Sequence, residues 1–135
     1  MAQLVPYLNF AGNCREAMAF YQRCLGGKLS SMTYGESPMA GQVPAEHHNH
    51  VLHSMLAADG ITLMASDLMP GAAMSHDGPV TLTLTSGDKD EIRALFNSFA
   101  ASGKVTMPLD DAFFGLYGEL TDQFGIKWLF QAGQN

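Results

Sequence analysis

Histidine is the side chain best suited to chemistry in this sequence, and four of the five histidines are close together: His47, His48, His50 and His53. An imidazole titrates near neutral pH and is a common metal ligand. If a strand begins at residue 48, His48 and His50 share one face and His53 lies on the other. No carboxylate pattern completes a metal site, so a polar loop leading into a strand is the favoured interpretation of the first three. Metal binding by them is the alternative.

His53 is the candidate catalytic residue. It lies inside a predicted strand, residues 51–58. An imidazole on the ligand-facing side of that strand would act as a general base or as a hydrogen-bond donor. The alternative is a structural histidine whose nitrogens are satisfied within the fold.

The elements that must position such residues follow one pattern used twice. Each predicted helix begins at a polar cap with a glutamate three residues later, Asn13 with Glu16 and Asp88 with Glu91. This is a capping-box arrangement. Each helix then carries an apolar stripe at helical spacing: Ala17, Phe20, Tyr21, Cys24 and Leu25 in the first, and Ile92, Leu95, Phe96, Phe99 and Ala100 in the second. Cys14 and Cys24 are too far apart on one helix to form a disulfide and are predicted to be packing residues.

Predicted strands surround each helix in the same order. They cover residues 4–10, 28–34, 51–58 and 61–67 in the first half, and 80–85, 104–107, 116–121 and 126–130 in the second. Each half is therefore βαβββ, which predicts an α+β fold. We expect a single domain over residues 1–135, with module 1 at about 1–68, a linker rich in Gly, Pro and Ser at 69–79, and module 2 at about 80–135.

Several short motifs are spread along almost the whole chain. They are Pro6-Tyr7-Leu8-Asn9-Phe10, Glu16-Ala17 with Phe20-Tyr21, Leu25-Gly26-Gly27, His53 ahead of Leu56, Leu63-Met64-Ala65-Ser66-Asp67, and Phe114-Gly115 with Gly118, Asp122-Gln123-Phe124-Gly125 and Trp128. In this order the chain resembles the vicinal oxygen chelate superfamily of glyoxalase I, extradiol dioxygenases and bleomycin resistance proteins. It most resembles the PhnB-like branch, often labelled 3-demethylubiquinone-9 3-methyltransferase. The resemblance implies an eight-stranded, open, barrel-like cup with a helix on the outer face of each half.

The resemblance also indicates where a metal would bind. Metal-using members take His or Glu ligands from the first and last strands of each repeat. Those places fall here on Val5 (or Pro6), Met64, Thr81 and Leu129, and none is an imidazole or a carboxylate. Divalent metals of this kind need such ligands. We therefore expect no metal at the superfamily position and no other cofactor.

Alternation along the strands then suggests which side chains face the cup. Tyr7 and Asn9 lie opposite Leu8 and Phe10, while Thr81, Thr83 and Thr85 lie opposite Leu82 and Leu84. The predicted ligand-binding set is Tyr7, Asn9, His53, Met64, Thr81, Thr83 and Leu129, with Met64 and Leu129 as an apolar floor. Exposure to solvent is the alternative for the polar members. Trp128 shares the alternation of Ile126 and Phe130, which predicts a core position.

Composition narrows the possible partners. Seven basic against thirteen acidic residues, a net charge of −6, argue against nucleic acid. The sequence has neither a membrane-length apolar run nor a signal-peptide pattern, which predicts a soluble cytoplasmic protein. Unpaired strand edges and nine methionines favour a symmetric homodimer, as the resemblance also implies.

Three functions are consistent with these features. The favoured one is binding of a small molecule in the cup without the superfamily metal. The first alternative is an enzyme (a lyase, isomerase or transferase acting on a small metabolite) that uses His53 and Tyr7 or a non-standard metal set. The second is a protein-interaction module. A methyltransferase activity is not favoured, because the sequence lacks a Gly-rich loop in a strand-to-helix context.

Overall fold

The structure is a computed structural model that describes residues 3–69 and 78–133. The chain forms two compact units, residues 1–74 and 75–135. Unit 1 contains β1 (Tyr7–Phe10), α1 (Cys14–Leu25), β2 (Lys28–Thr33), β3 (Val51–Ala58) and β4 (Ile61–Asp67). Unit 2 contains β5 (Leu82–Ser86), α2 (Lys89–Ala100), β6 (Lys104–Ala112), β7 (Gly115–Thr121) and β8 (Lys127–Ala132). The α+β class and the repeated βαβββ order are confirmed. The predicted linker at 69–79 falls mainly on residues 70–77, which lie outside the described residues.

Each unit contains a four-stranded mixed sheet with the same topology. The strand orders are β1-β4-β3-β2 and β5-β8-β7-β6. The first strand of each unit runs parallel to the last, and the other neighbours are antiparallel. The register places Tyr7 beside Met64 in unit 1 and Thr83 beside Leu129 in unit 2. The two units therefore share the same pairing between their strands as well as the same order of elements.

The core of each unit lies between its helix and its sheet. In α1 the stripe residues Ala17, Phe20 and Tyr21 are buried, and in α2 the buried residues are Ile92, Phe96 and Phe99. The ring of Phe99 lies 5.0 Å from that of Trp128 and 5.4 Å from that of Phe130. The core position predicted for Trp128 is confirmed. Leu82 and Leu84 are only half-buried.

Several strand ends differ from the sequence prediction. β1 begins at Tyr7, and Leu4 is fully exposed. Pro6 has no N–H to donate to a ladder, although its carbonyl accepts a hydrogen bond from Met64 N. β6 continues past Pro108 to Ala112. It is an edge strand whose register shifts between Met107 and Asp110, and an edge or a bulge is where a strand tolerates proline.

The N-terminus of α1 is capped differently from the prediction. Asn13 makes no side-chain cap hydrogen bond. Asp67, buried at the end of β4, accepts hydrogen bonds through Oδ1 from the backbone N–H groups of Gly12 (2.8 Å) and Cys14 (3.0 Å). Its Oδ2 accepts from Val51 N at 2.8 Å. A carboxylate from a distant strand replaces the local cap and ties α1 to β3 and β4.

The N-terminus of α2 has the predicted cap. Asp88 accepts hydrogen bonds from the backbone N–H groups of Asp90 and Glu91. The reciprocal half of the capping box is absent, because the Glu91 carboxylate accepts from the Ser86 hydroxyl at 2.6 Å and Ser86 Oγ accepts from Asp88 N. Ser86 is thus inserted between the two members of the predicted pair.

The turn between β7 and β8 is organised by a second buried carboxylate, that of Asp122. Its Oδ1 accepts from Phe124 N (2.8 Å) and Ile126 N (3.0 Å), and its Oδ2 accepts from the indole N–H of Trp128 (2.8 Å). These bonds connect the turn to the core and fix where β8 begins. In the described part of the chain, no helix has the length and apolar character needed to cross a membrane.

Candidate functional site

The face of the unit 1 sheet that points away from α1 carries most of the predicted site residues. In β1 the exposed Tyr7 and Asn9 alternate with the buried Leu8 and Phe10. Across the sheet Tyr7 lies beside Met64, and Met64 lies beside Met55 on β3. This row combines a phenol with two half-buried thioethers. Methionine is a flexible side chain that adapts to apolar ligands of irregular shape.

His53 lies on this same face. It is exposed, and its neighbour on β2 in the register is Met32. Its ring centroid is 6.1 Å from that of Tyr7, with the ring planes inclined at 34°. The next residue, Ser54, points the other way and is buried, where its hydroxyl donates to Ala65 O. The two candidate polar groups, imidazole and phenol, are therefore neighbours on one surface.

The corresponding face of unit 2 carries Thr83 and Leu129 together with two residues that the sequence analysis did not select. The row across the sheet runs from Thr83 on β5 to Leu129 on β8, Glu119 on β7 and Met107 on β6. Thr81 precedes β5 and is exposed.

Tyr117 and Glu119 project from β7 on this face, since Leu116, Gly118 and Leu120 between and beside them are buried. The Tyr117 hydroxyl donates a short hydrogen bond to Glu119 Oε2. This bond raises the pKa of the Tyr117 phenol. Burial alternates strictly along this strand, but the sequence Leu-Tyr-Gly-Glu-Leu does not alternate apolar and polar residues, so no local pattern identified the pair.

The histidines ahead of β3 lie in the loop and are not part of a strand. A 3-10 turn covers Ala45–His47, and β3 begins only at Val51. His48 Nε2 lies 2.9 Å from Ala40 O and 2.8 Å from Val43 O, which assigns it to holding the loop together. The Nδ1 atoms of His47 and His50 are 3.4 Å apart.

Cys14 is a packing residue in the described structure. It is buried, and its sulfur is 3.6 Å from the Ser54 hydroxyl. Burial raises the pKa of the Cys14 thiol to about 11, so it carries almost no nucleophilic thiolate at neutral pH.

Comparison with known proteins identifies the family. The family model described as the Glyoxalase/Bleomycin resistance protein/Dioxygenase superfamily matches residues 3–130. The chain belongs to this superfamily. Protein YjdN of Escherichia coli (strain K12) is 37% identical to it over 136 residues, covering 93% of this chain and 92% of YjdN.

Solved structures of similar proteins agree with the fold. The crystal structure of protein PA1353 from Pseudomonas aeruginosa has a TM-score of 0.89 and 37% identity, and the match covers all of both chains. A PhnB protein from Bacillus cereus, named as a 3-demethylubiquinone-9 3-methyltransferase, has a TM-score of 0.76 at 23% identity over 97% of this chain and 99% of its own. That second similarity shows the fold alone.

The metal used by some superfamily members does not fit the residues of this chain. The implied ligand places hold Val5, Met64, Thr81 and Leu129, of which only Met64 has a donor that binds soft metals. Glu119 lies beside Leu129, yet residues 3–69 and 78–133 contain no group of three or more His, Cys, Asp or Glu side chains placed to hold a metal ion. The donor set therefore disagrees with glyoxalase-type metal chemistry.

Proposed function

We propose that this chain binds a small molecule on the sheet faces that point away from its helices, without the metal of the metal-using superfamily members. The observation that carries the proposal is the chemistry of these faces. At the implied metal positions the side chains are apolar or hydroxyl-bearing, and around them lie an imidazole, two phenols and several thioethers. A mainly apolar surface with a few directed polar groups is typical of small-molecule sites.

Each unit presents a binding face of its own. Unit 1 offers Tyr7, Asn9 and His53 around the apolar Met64. Unit 2 offers Thr83 and Leu129, with Thr81 just before the strand. We further propose that the active form is a homodimer, because apolar side chains are exposed on the edge strands β2 and β6.

A thermal-shift screen of metabolites and antibiotics tests the proposed binding. A ligand that binds only the native state raises the melting temperature, and above Kd the increase grows with the logarithm of the ligand concentration. We expect at least one compound to do so equally with and without a chelator. A ligand whose effect disappears on chelation and returns with added metal would contradict the metal-free part of the proposal.

The second candidate function is an enzyme that uses His53 and Tyr7. The 6.1 Å separation of their rings favours it, since a ligand lying on this face would touch both groups. Imidazole is the side chain most often used as a general acid or base in enzymes. Incubating the protein with a ligand found in the screen distinguishes the two functions. Recovery of the unchanged compound supports binding. A product that forms with the unaltered protein but not with His53→Ala supports catalysis.

A further inference from the structure

Glu119 is an acidic residue on the face of the unit 2 sheet that points away from α2. Neither the family match nor the implied metal positions give this residue a role. The residue is half-buried near the middle of β7. The neighbours across the sheet are apolar on both sides, Leu129 on β8 and Met107 on β6. Partial removal of a carboxylate from water costs free energy unless donors or a cation replace the lost solvation.

The described residues supply only part of that replacement. The Tyr117 hydroxyl donates one hydrogen bond to Glu119. Among residues 3–69 and 78–133 the ion pair that forms is Lys89 with Asp111, away from this face. Lys127 lies two residues before Leu129 on β8, but its ammonium group donates to the carbonyl of Gly78. The Glu119 carboxylate is thus left with a hydroxyl partner and no cationic partner in the described residues.

The Tyr117 side chain that holds this carboxylate also packs against a second aromatic ring. The Phe114 and Tyr117 rings meet edge to face, with centroids 5.4 Å apart and planes at 88°. The faces of such rings attract cations through their quadrupole. A carboxylate held by a phenol and set beside aromatic and apolar side chains provides both charge and contact area for an organic cation.

We propose that the ligand of this face carries a cationic amine on an apolar body. Its ammonium group would bind at Glu119 beside the Tyr117 ring, and its apolar part would contact Leu129 and Met107. A carboxylate ligand would instead meet the like charge of Glu119. This inference rests on the proposed small-molecule binding and adds the charge class of the ligand.

Three probes with one phenethyl-type body separate charge from shape: phenethylammonium, phenethyl alcohol and phenylacetate. Dissociation constants are measured by isothermal titration calorimetry at low salt, and amide chemical shifts locate the binding. We expect phenethylammonium to bind about tenfold more tightly than phenethyl alcohol, and phenylacetate more weakly than either. Amides of β7 and β8 should shift.

Two variants test the role of the carboxylate. Glu119→Gln keeps the shape of the side chain and should reduce the ammonium preference to less than about threefold. Glu16→Gln makes the same charge change on the exposed surface of α1 and should keep the full preference. Circular dichroism and the melting temperature verify that both variants are folded.

Several outcomes would overturn the inference. These are binding of phenylacetate as tight as that of phenethylammonium, an unchanged preference in Glu119→Gln, an equal loss in Glu16→Gln, and no binding of phenethylammonium at about 10 mM. Binding of the neutral probe on β7 and β8 without charge preference would overturn the cation inference and support the proposed function. The thermal-shift screen decides the proposed function independently, because it includes neutral and anionic compounds.

Discussion

Two buried carboxylates, Asp67 and Asp122, each accept three N–H hydrogen bonds. Asp67 joins segments that are far apart in the sequence, and Asp122 joins residues on either side of a turn. A carboxylate can do this because both of its oxygens accept. Local sequence rules predicted Asn13 as the cap of α1 because they compare only neighbouring residues. The side chain that accepts hydrogen bonds at the start of α1 is that of Asp67, which comes from β4. Its role could not be read without the tertiary fold.

Replacing Asp67 with Asn tests this role. The amide has one acceptor oxygen, so its NH2 group would face either the Val51 N–H or the two N–H groups at the start of α1. We expect Asp67→Asn to lower the free energy of unfolding by about 2–4 kcal/mol, measured by urea denaturation. Asp88→Asn is the matched control, because Asp88 is an exposed cap and Asn is an equally good cap residue. Equal losses in the two variants would contradict the role given to Asp67.

His53 and Ser54 are neighbours with opposite expected effects. His53 is exposed and has a ring contact with Tyr7, whereas Ser54 is buried and bonded to Ala65 O. We expect His53→Ala to leave the melting temperature nearly unchanged and to weaken binding of any ligand found by thermal shift. Ser54→Ala should lower the free energy of unfolding by about 1 kcal/mol and leave ligand affinity unchanged. A destabilised His53→Ala protein with normal affinity would instead support the structural alternative for His53.

Cys14 should be unreactive in the folded protein. Burial raises its pKa to about 11, so at pH 8 only about one thiol in a thousand is ionised, and the sulfur is also shielded from reagents. Iodoacetamide labelling followed by mass spectrometry should leave Cys14 unmodified in native protein and modify it in urea. Because the pKa is raised, reactivity should increase only as pH rises towards 11. Rapid native labelling at pH 8 would contradict this expectation.

At the scale of elements, the sequence predicted helices better than strand ends. Both helices were located by their apolar stripes, since a helix is a local structure whose period is visible in one segment. The ends of strands depend on partners. β6 was expected to stop before Pro108, but it is an edge strand with register shifts, and the partner strand β7 carries it on to Ala112. For the same reason Glu119 was missed, because its neighbours Met107 and Leu129 come from other strands.

The end of α1 offers a test of close packing between elements. Gly26 and Gly27 both have positive φ, 76° and 91°. A Cβ at Gly26 would meet nothing within 4 Å, whereas a Cβ at Gly27 would collide with the Ala57 carbonyl and lie 2.7 Å from Ala58 Cβ.

We expect Gly26→Ala to cost about 1–3 kcal/mol for its backbone conformation alone, because φ 76° with ψ −166° is a combination that almost only glycine adopts. Gly27→Ala should cost at least about 2 kcal/mol more, because α1 would have to move away from β3. Chemical denaturation of the two variants gives the difference directly. Equal costs would show that backbone conformation, not contact with β3, explains the second glycine.

At the scale of the whole molecule, the edge strands of the two sheets determine whether two copies of the chain associate. β2 and β6 each end the strand order of their sheet. Met32 on β2 is 45% exposed, and Val105 and Met107 on β6 are 40% and 46% exposed. Unpaired strand edges with apolar side chains promote association unless another chain covers them.

We therefore expect a symmetric homodimer in solution, with an interface that buries more than about 2,000 Å² in total. Light scattering at micromolar concentration should give twice the chain mass of 14.5 kDa. Met32→Lys and Val105→Lys each place a charge on one edge strand without removing a core side chain. At least one of these variants should shift the dimer towards monomer, because burying an unpaired ammonium group in the interface is costly. Lys104→Ala, on the same edge strand, removes a charge from an exposed position and should leave the dimer intact. A mass of 14.5 kDa that does not change as the protein is concentrated would contradict the dimer.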